Sequence, residues 1–368
     1  PGTSVCAVAI GKVDAMAFVG GSALGVLAYA EPFPLFAAFA DSTSLGPALV
    51  HESLGVSPGL FVLLLAGAAV LAFAVGGIVE RKVAPDAAPS RLFPVRKHVV
   101  AAAVLLTATP AAALEECRLL RQPDIQGDRI VFVYAGDLWT VARAGGTAAR
   151  LTTHDGIEQF PKLSPDGRTV AFTAEYDGNT DAFTVPLAGG EPRRLTWHPS
   201  PDQVAEWYPD GRGILLRSRR ASAPSRVDRF FRVPAEGGFE EMLALPTAGY
   251  AGLSEDGTLI AFVSPSYDQR TWKRYRGGSA ADIWVYDFGK NRSEKITDWA
   301  GPDEWPMFHG RTVYYCSDRD AKTANLWAYD LDKKTHRQVT TFTEYDVKWP
   351  SVGSDAVVFE NGGYLYRM

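Results

Sequence analysis

The chain has 368 residues, a formal net charge of −5 and 21% charged residues. This weakly acidic balance offers no electrostatic basis for binding nucleic acid, so we expect no nucleic-acid partner. The three cysteines, Cys6, Cys117 and Cys316, lack the spacing of metal ligands, which excludes a typical zinc site. Two unpaired thiols are the favoured expectation for Cys117 and Cys316, with a disulfide between them as the alternative in an oxidising compartment.

The first part of the chain contains long uncharged apolar runs. The run 59–79 is long enough to cross a hydrocarbon core of ~30 Å as a helix. The shorter run 15–30 contains Gly20, Gly21 and Gly25, small residues that would allow close contact between helices in lipid. We therefore predict a partial transmembrane domain over residues 1–80, which contacts the inner membrane through 15–30 and 59–79.

A third apolar run, residues 99–113, differs from the first two. It follows the basic residues Arg91, Arg96 and Lys97 and ends in Pro-Ala-Ala-Ala, as secretory signal peptides do. A third spanning helix that is not cleaved is the alternative. Because basic residues hold the loop before this run in the cytoplasm, both readings place the following domain in the periplasm or otherwise outside the cell's interior. Residues 81–113 are thus a basic linker and a signal-like helix.

The opening residues resemble the YeeE/YedE-type sulphur transport family. Pro1-Gly2-Thr3-Ser4 matches the end of that family's Cys-Pro-Gly-Thr-Ser motif, and 10–15 continues in the same style. The resemblance covers only residues 1–80, and Cys6 does not occupy the place of the motif cysteine. We therefore infer no thiosulphate transport, and we read the join to an exported domain as a gene fusion or as two neighbouring genes read as one.

From Asp124 onward, one pattern is repeated almost six times. Each copy has a turn, an apolar strand, an aromatic-centred strand, a Gly-rich turn and a strand that ends in Leu-Thr or its equivalent. The central aromatic residues of the copies are Trp139, Phe183, Phe231, Trp284, Trp327 and Tyr366. A repeat of roughly 40–50 residues with four strands is typical of a β-propeller blade. We predict an all-β fold, a six-bladed β-propeller over residues 114–368 with an incomplete sixth blade, preceded by two to three apolar α-helices.

The turn chemistry and the innermost strands provide further predictions. The Asp residues of turns such as Ser164-Pro165-Asp166-Gly167 are expected to stabilise the turns rather than to bind a ligand. Alignment of the innermost strands on these turns places one column of large side chains in positions that we expect to pack between blades. That column contains Phe160, Val204, Tyr250, Trp305 and Trp349. Gln159, Glu304 and Lys348 are the candidates for ligand contacts in the central channel.

Motifs for catalysis are absent from the sequence. It contains no G-x-S-x-G elbow, no H-E-x-x-H pair and no phosphate-binding G-x-x-x-x-G-K-[ST] loop, so we assign no catalytic residue, no metal site and no cofactor. The basic stretch 217–226 lacks aromatic residues and is expected to be a solvated loop. The longest insertion carries Lys273, Arg274 and Arg276 beside two aromatic residues, and these cations are candidates for holding a carboxylate.

Several longer segments resemble the amino-terminal propeller of tricorn-type proteases. These segments are 136–139, 172–181, 270–278, 346–351 and 362–366, and the similarity extends over residues 121–368. The resemblance implies a six-bladed propeller followed by a second propeller, a PDZ domain and catalytic domains with a serine nucleophile. It also implies that the complete protein cleaves oligopeptides and forms homo-oligomers, with the propellers controlling passage to and from the active site.

Two functions remain open on the sequence alone. In the first, residues 114–368 are the non-catalytic propeller of an exported tricorn-like serine protease, which admits or releases peptides and supports assembly. In the second, the propeller is a stand-alone scaffold that binds partner proteins, like the periplasmic TolB propeller. The segments 173–181 and 271–278 favour the first.

Overall fold

The computed structural model describes residues 6–12, 117–221, 227–264, 274–319 and 323–368. They belong to one compact unit of the chain, and every regular element among them is a β-strand. The helices expected at 15–30, 59–79 and 99–113 lie outside these residues. Within the described ranges, no helix is long and apolar enough to span a membrane.

The strands form six sheets, which we call blades 1 to 6. Two short strands come first, β1 (Cys6–Val8) and β2 (Ile10–Lys12). Blade 1 contains β3 (Arg121–Gln126), β4 (Arg129–Tyr134), β5 (Asp137–Ala142) and β6 (Gly146–Arg150). Blade 2 contains β7 (Glu158–Leu163), β8 (Thr169–Tyr176), β9 (Asn179–Pro186) and β10 (Arg193–Arg194). Blade 3 contains β11 (Asp202–Trp207), β12 (Gly213–Ser218), β13 (Arg229–Pro234) and β14 (Glu241–Met242).

The remaining blades follow the same antiparallel order. Blade 4 contains β15 (Ala251–Leu253), β16 (Leu259–Ser264), β17 (Asp282–Asp287) and β18 (Arg292–Lys295). Blade 5 contains β19 (Asp303–His309), β20 (Thr312–Ser317), β21 (Asn325–Asp330) and β22 (Thr335–Gln338). Blade 6 contains β23 (Lys348–Val352), β24 (Val357–Asn361) and β25 (Tyr364–Arg367).

The first strand of each blade lies at the centre of a closed ring. These inner strands contact one another in the cyclic order β3, β7, β11, β15, β19, β23 and back to β3. The predicted six-bladed propeller is therefore confirmed. Closure around an axis leaves the inner strands as the walls of a channel.

The apolar residues form six clusters, one at each blade interface, instead of one central core. The aromatic residue of each third strand contributes to the cluster that its blade shares with the preceding blade. Trp139 thus packs with Val358 and Leu365 of blade 6, and Phe183 packs with Val131 of blade 1. Burial of each large side chain contributes about 1.5–3 kcal/mol, so the repeated aromatic position supplies a similar stabilisation at every interface.

A threonine of the Leu-Thr repeat joins each of several blades to the next one. The hydroxyl of Thr152 accepts the backbone N–H of Leu138 in its own blade at 2.9 Å and donates to the Glu158 carboxylate at the start of blade 2 at 2.8 Å. The N–H bonds equivalent to that of Leu138 run from Ala182 to Thr196, from Ile283 to Thr297 and from Leu326 to Thr340. Thr196 and Thr297 also bond to the carboxylates that begin the next blades, Asp202 and Asp303.

The hairpin turns have the structure that their sequences predict. In the turn after β7, the Ser164 hydroxyl donates to Asp166 at 2.6 Å, Asp166 accepts the N–H of Arg168, and Gly167 has a φ of 69°. Similar bonds from Ser254 and Thr258 lower the pKa of Asp256 to about 2. The expectation that these aspartates stabilise turns is confirmed.

Blade 6 contributes only three strands from its own part of the sequence, as predicted. Its outer position is occupied by β2, which runs parallel to β25 with Ile10 opposite Leu365. The preceding strand β1 pairs antiparallel with β6, with Cys6 opposite Ala148. The segment 6–12 therefore pairs with the outer edges of both blades at the point where the ring closes.

The expectation for the cysteines is wrong for Cys117. This residue is in a disulfide, whereas Cys316 is a free and buried thiol on β20. A bridge between Cys117 and Cys316 is therefore excluded. Burial raises the pKa of the Cys316 thiol well above its ordinary value, which makes it a structural apolar residue rather than a nucleophile.

Replacement of Thr152 by Val tests the threonine link between blades. The change removes the hydroxyl and leaves the Leu138 N–H and the buried Glu158 carboxylate short of a partner. We expect the free energy of unfolding to fall by about 1–3 kcal/mol in urea denaturation. Exposed Thr153 is the matched control, and Thr153→Val should change stability by less than about 0.5 kcal/mol. Equal effects of both substitutions would contradict the link.

Candidate functional site

The inner strands carry a recurring irregularity halfway along the channel. Register shifts occur in β3, β7, β11, β19 and β23. In four of these strands the shift contains a residue with positive φ followed by proline, namely Gln122 (48°), Phe160 (52°), Trp305 (52°) and Trp349 (49°). Proline cannot donate a ladder hydrogen bond, so a bulge is where a strand tolerates it. Non-glycine residues in this left-handed region cost about 1–3 kcal/mol each.

Three of the bulged residues direct aromatic rings towards the axis. Trp349 of blade 6 has its ring centroid 5.2 Å from that of Trp305, 5.4 Å from that of Tyr250 and 5.5 Å from that of Phe160. Tyr250 and Trp305 are 5.8 Å apart. We call Phe160, Tyr250, Trp305 and Trp349 the axial ring cluster. Because blades 2, 4 and 6 do not adjoin one another, these contacts are made across the channel.

The axial ring cluster corrects the expectation that this column packs between blades. That prediction is confirmed for Val204, which lies in the apolar cluster between blades 2 and 3. It is wrong for Phe160, Tyr250 and Trp349, whose rings meet across the axis. For Phe160 and Trp349 the physical reason is the bulge, because one extra residue in the strand turns the side chain from the blade interface towards the channel.

Arg217, on β12, supports two of the rings. Its guanidinium carbon lies 4.6 Å from the ring centroid of Tyr250 and 5.6 Å from that of Phe160, and its side chain is buried. Cation–π contacts of this kind hold both rings in place. The expectation that 217–226 is a solvated loop is therefore wrong for Arg217, which lies in a strand, and 222–226 fall outside the described residues.

A charged layer lies beside the axial ring cluster on the inner strands of four blades. The Lys162 ammonium is 3.3 Å from Glu206, 3.5 Å from Asp124 and 2.8 Å from the Ser351 hydroxyl, which also donates to Asp124. Burial lowers the pKa of Lys162, but Glu206 and Asp124 outweigh it and raise the pKa overall. Burial raises the pKa of Glu206. The layer joins blades 1, 2, 3 and 6 through one half-buried cation.

A cavity of about 60 Å³ lies between the rings and the charged layer. Its wall includes the four rings of the cluster, the prolines that follow the bulges, Arg217, Lys162 and Glu206. The rings are half-buried, so they remain accessible from the channel. The channel is thus constricted by aromatic side chains and is charged on one side of the constriction.

The sequence candidates Gln159, Glu304 and Lys348 each precede a residue of the axial ring cluster by one position. All three are half-buried near the starts of their strands, and none of them lines the cavity. Lys348 lies opposite Glu360 in the β23–β24 ladder. Their role as channel ligands stays a prediction.

The cationic insertion is only partly described. Lys273 lies outside the described residues, and Arg274 has a φ of 54°. The Arg276 guanidinium donates to Asp318 at 2.9 Å and lies 4.9 Å from the ring centroid of Trp299. Arg276 therefore already has a carboxylate partner within the protein, and its predicted role in binding an external carboxylate stays a prediction.

A buried carboxyl group on β24 has a strongly shifted pKa. Burial raises the pKa of Glu360 to about 7, against the attraction of Arg121 and Lys348. The Arg121 Nε atom is 4.0 Å from its Oε2 oxygen, which makes no hydrogen bond in the described structure. No group of three or more His, Cys, Asp or Glu residues within the described ranges could hold a metal ion.

The chain matches the family model described as the tricorn protease N-terminal beta propeller domain over residues 117–368. It is 29% identical over 246 residues to the tricorn protease homolog of Saccharolobus solfataricus, covering 66% of this chain and 23% of that protein. The crystal structure of the tricorn protease superposes with a TM-score of 0.62 at 27% identity, over 68% of this chain and 25% of that chain. The chain thus spans about a quarter of the length of these relatives.

A more distant similarity shows the fold alone. The TolB structure from Acinetobacter baumannii has a TM-score of 0.52 at 20% identity, over 64% of this chain and 57% of that one. The family match begins at residue 117, so the sulphur transport resemblance of residues 1–80 stays a prediction.

Glu360→Gln tests the buried carboxyl group. The folded pKa of about 7 lies above the ordinary value of 4.5, so the stability that the protonated group contributes is complete below pH 4.5 and is lost as the pH rises through 7. The neutral amide should raise the free energy of unfolding at pH 8 by about 1–3 kcal/mol and leave it nearly unchanged at pH 4. Thermal melting across this range measures the effect. The control is exposed Glu344→Gln, and a gain at pH 8 equal to that of Glu360→Gln would contradict the assignment.

Proposed function

The chain belongs to the family of tricorn protease N-terminal propellers, and we propose that it is the non-catalytic propeller of an exported tricorn-like serine protease that degrades oligopeptides. In this role it gates the passage of peptides and supports assembly of the complete protein. The observation that carries the gating role is the axial ring cluster, which narrows the channel of a closed propeller.

The geometry supports a gate rather than an open conduit. Trp349 alone contacts three other rings, so its side chain occupies the middle of the constriction. The rings are attached to inner strands, which the closed ring of blades holds in place. Passage therefore depends on rotation of the side chains rather than on movement of the blades. A peptide therefore passes only when rings turn aside.

The absence of catalytic motifs supports a non-catalytic role. The sequence has no nucleophile elbow and no zinc-binding helix motif, and Cys316, a free thiol within the described ranges, is buried and has a raised pKa. In this proposal the peptide bond is broken by a serine in another part of the complete protein. Oligopeptides are the partners of the propeller, and homo-oligomers form through the complete protein.

The export of the propeller rests on the sequence of residues 81–113. The basic segment followed by the signal-like run supports placement of the propeller in the periplasm, with residues 15–30 and 59–79 in the inner membrane. The second candidate is the stand-alone, TolB-like scaffold that binds partner proteins. A reading frame that continues past Met368 into a serine-bearing domain would support the protease, and a stop after blade 6 would support the scaffold.

The non-catalytic assignment predicts no peptidase activity in the 368-residue chain. We expect its hydrolysis of fluorogenic oligopeptides to equal the rate in buffer, with no labelling by a serine-directed fluorophosphonate. A tricorn-type protease measured in parallel is the positive control. Cleavage that a serine-directed inhibitor abolishes would overturn the assignment.

The gating role predicts a length-dependent effect in a complete tricorn-type protease that carries this propeller. Trp349→Ala removes the most connected ring, and we expect hydrolysis of peptides of about eight residues to change several-fold relative to that of tripeptides. Trp197→Ala is the control, because Trp197 is exposed and does not line the cavity. Equal rate ratios in the wild type and the Trp349 variant would argue against gating through this channel.

A further inference from the structure

The axial ring cluster contains an unused hydrogen-bond donor. The indole Nε1 of Trp305 is buried and has no hydrogen-bond partner in the described structure, although Trp305 lines the cavity. Burial of a donor without an acceptor costs about 1–3 kcal/mol, so such groups call for an explanation. A rotation of the indole ring towards the cavity would allow an acceptor on a ligand to satisfy this N–H.

Backbone strain is concentrated around the same cavity. Gln122, Phe160, Trp305 and Trp349 all have left-handed φ angles, each is followed by a proline, and all four line the cavity. Residues that precede proline are normally held in extended conformations, so the four bulges place four such departures around one cavity. Strained positions of this kind cluster at ligand-binding sites.

The charges around the cavity favour a neutral ligand. Lys162 lies between the carboxylates of Glu206 and Asp124, and the positive charge of Arg217 balances the second carboxylate, so the charges near the cavity sum to zero. Arg217 is occupied with the faces of Tyr250 and Phe160. The remaining wall is mostly aromatic and prolyl, so the site offers flat apolar surfaces beside the indole N–H of Trp305.

Proline is the peptide residue that meets these requirements. It has no backbone N–H to be buried without a partner among the rings. Its carbonyl group accepts a hydrogen bond, and extended proline segments leave their carbonyls unpaired. Aromatic grooves with indole donors recognise such segments in other domains.

We propose that the axial cavity binds a prolyl residue of a peptide. The pyrrolidine ring packs against Phe160 and Trp349, and the prolyl carbonyl oxygen accepts the indole N–H of Trp305. A cavity of about 60 Å³ holds about four to six waters, so one small ring fits once that water is displaced. The site therefore takes a single residue rather than a folded segment.

Calorimetric titration of the 368-residue chain tests the proposal. The probe is acetyl-Pro-Pro-Pro-amide, whose blocked ends carry no charge, and acetyl-Ala-Ala-Ala-amide is the matched control peptide. We expect saturable binding of the prolyl peptide with a Kd below about 1 mM, and at least tenfold weaker binding of the alanyl peptide. Equal binding of the two peptides, or no binding of either, would overturn the proposal.

Substitution of Trp305 identifies the donor. Trp305→Phe keeps an aromatic ring and removes the N–H, so affinity for the prolyl peptide should fall about tenfold. Trp197→Phe, at an exposed position outside the cavity wall, should leave the affinity unchanged. Full affinity in the Trp305 variant would refute the hydrogen bond.

A second measurement removes any dependence on how well the variant folds. In wild-type protein labelled with ¹⁵N-tryptophan, the Trp305 indole resonance should move downfield with the prolyl peptide and stay in place with the alanyl peptide. An unmoved resonance under saturating peptide would refute the assignment. The inference rests on the proposed admission of peptides, but binding is measured without proteolysis. If the peptide does not bind, the gating role can still hold. If the gating role is wrong, binding of the prolyl peptide can still be detected.

Discussion

The structure depends on one constraint, which is that no blade can bury both of its faces by itself. Each four-stranded sheet presents apolar side chains on two sides, and only contact with two neighbours removes both faces from water. The six interface clusters meet this requirement, and the ring must close for the first and last blades to do so as well. The buried threonines strengthen the same interfaces. The hydroxyl of Thr152, for example, accepts a hydrogen bond from its own blade and donates one to the first residue of the next blade.

Closure of the ring also determines which side chains meet at the axis of the channel. Six inner strands converge on a narrow channel, and five of them are bulged. In three of the five, the bulge carries an aromatic residue whose ring belongs to the axial ring cluster. The rings of Phe160, Trp305 and Trp349 then fill space that straight strands would leave open. Arg217 and the charged layer around Lys162 fix the two ends of this arrangement. The candidate site is therefore a product of strand irregularity within a regular ring.

The repeat allowed the fold to be predicted, because turn residues and the central aromatic positions act locally and recur. The candidate site was harder to predict, since it depends on single-residue insertions in the inner strands. An alignment of the repeats passes over insertions of this size. A signal was present, because Phe160-Pro161, Trp305-Pro306 and Trp349-Pro350 place proline inside strands, where it marks a bulge. The position of Arg217 gave no such signal, as its neighbours in sequence form a basic stretch while its side chain belongs to the channel.

The pairing of the segment 6–12 with blades 1 and 6 affects the mechanics of the ring. Strand β2 runs parallel to β25, whereas β1 runs antiparallel to β6. Separation of these two blades must break at least one of these short ladders together with apolar contacts in the same interface, where Val8 is buried. The interface at which the ring closes is therefore reinforced by a segment that is distant in sequence. Three separate segments of the chain contribute contacts to this interface, where most propeller interfaces have two.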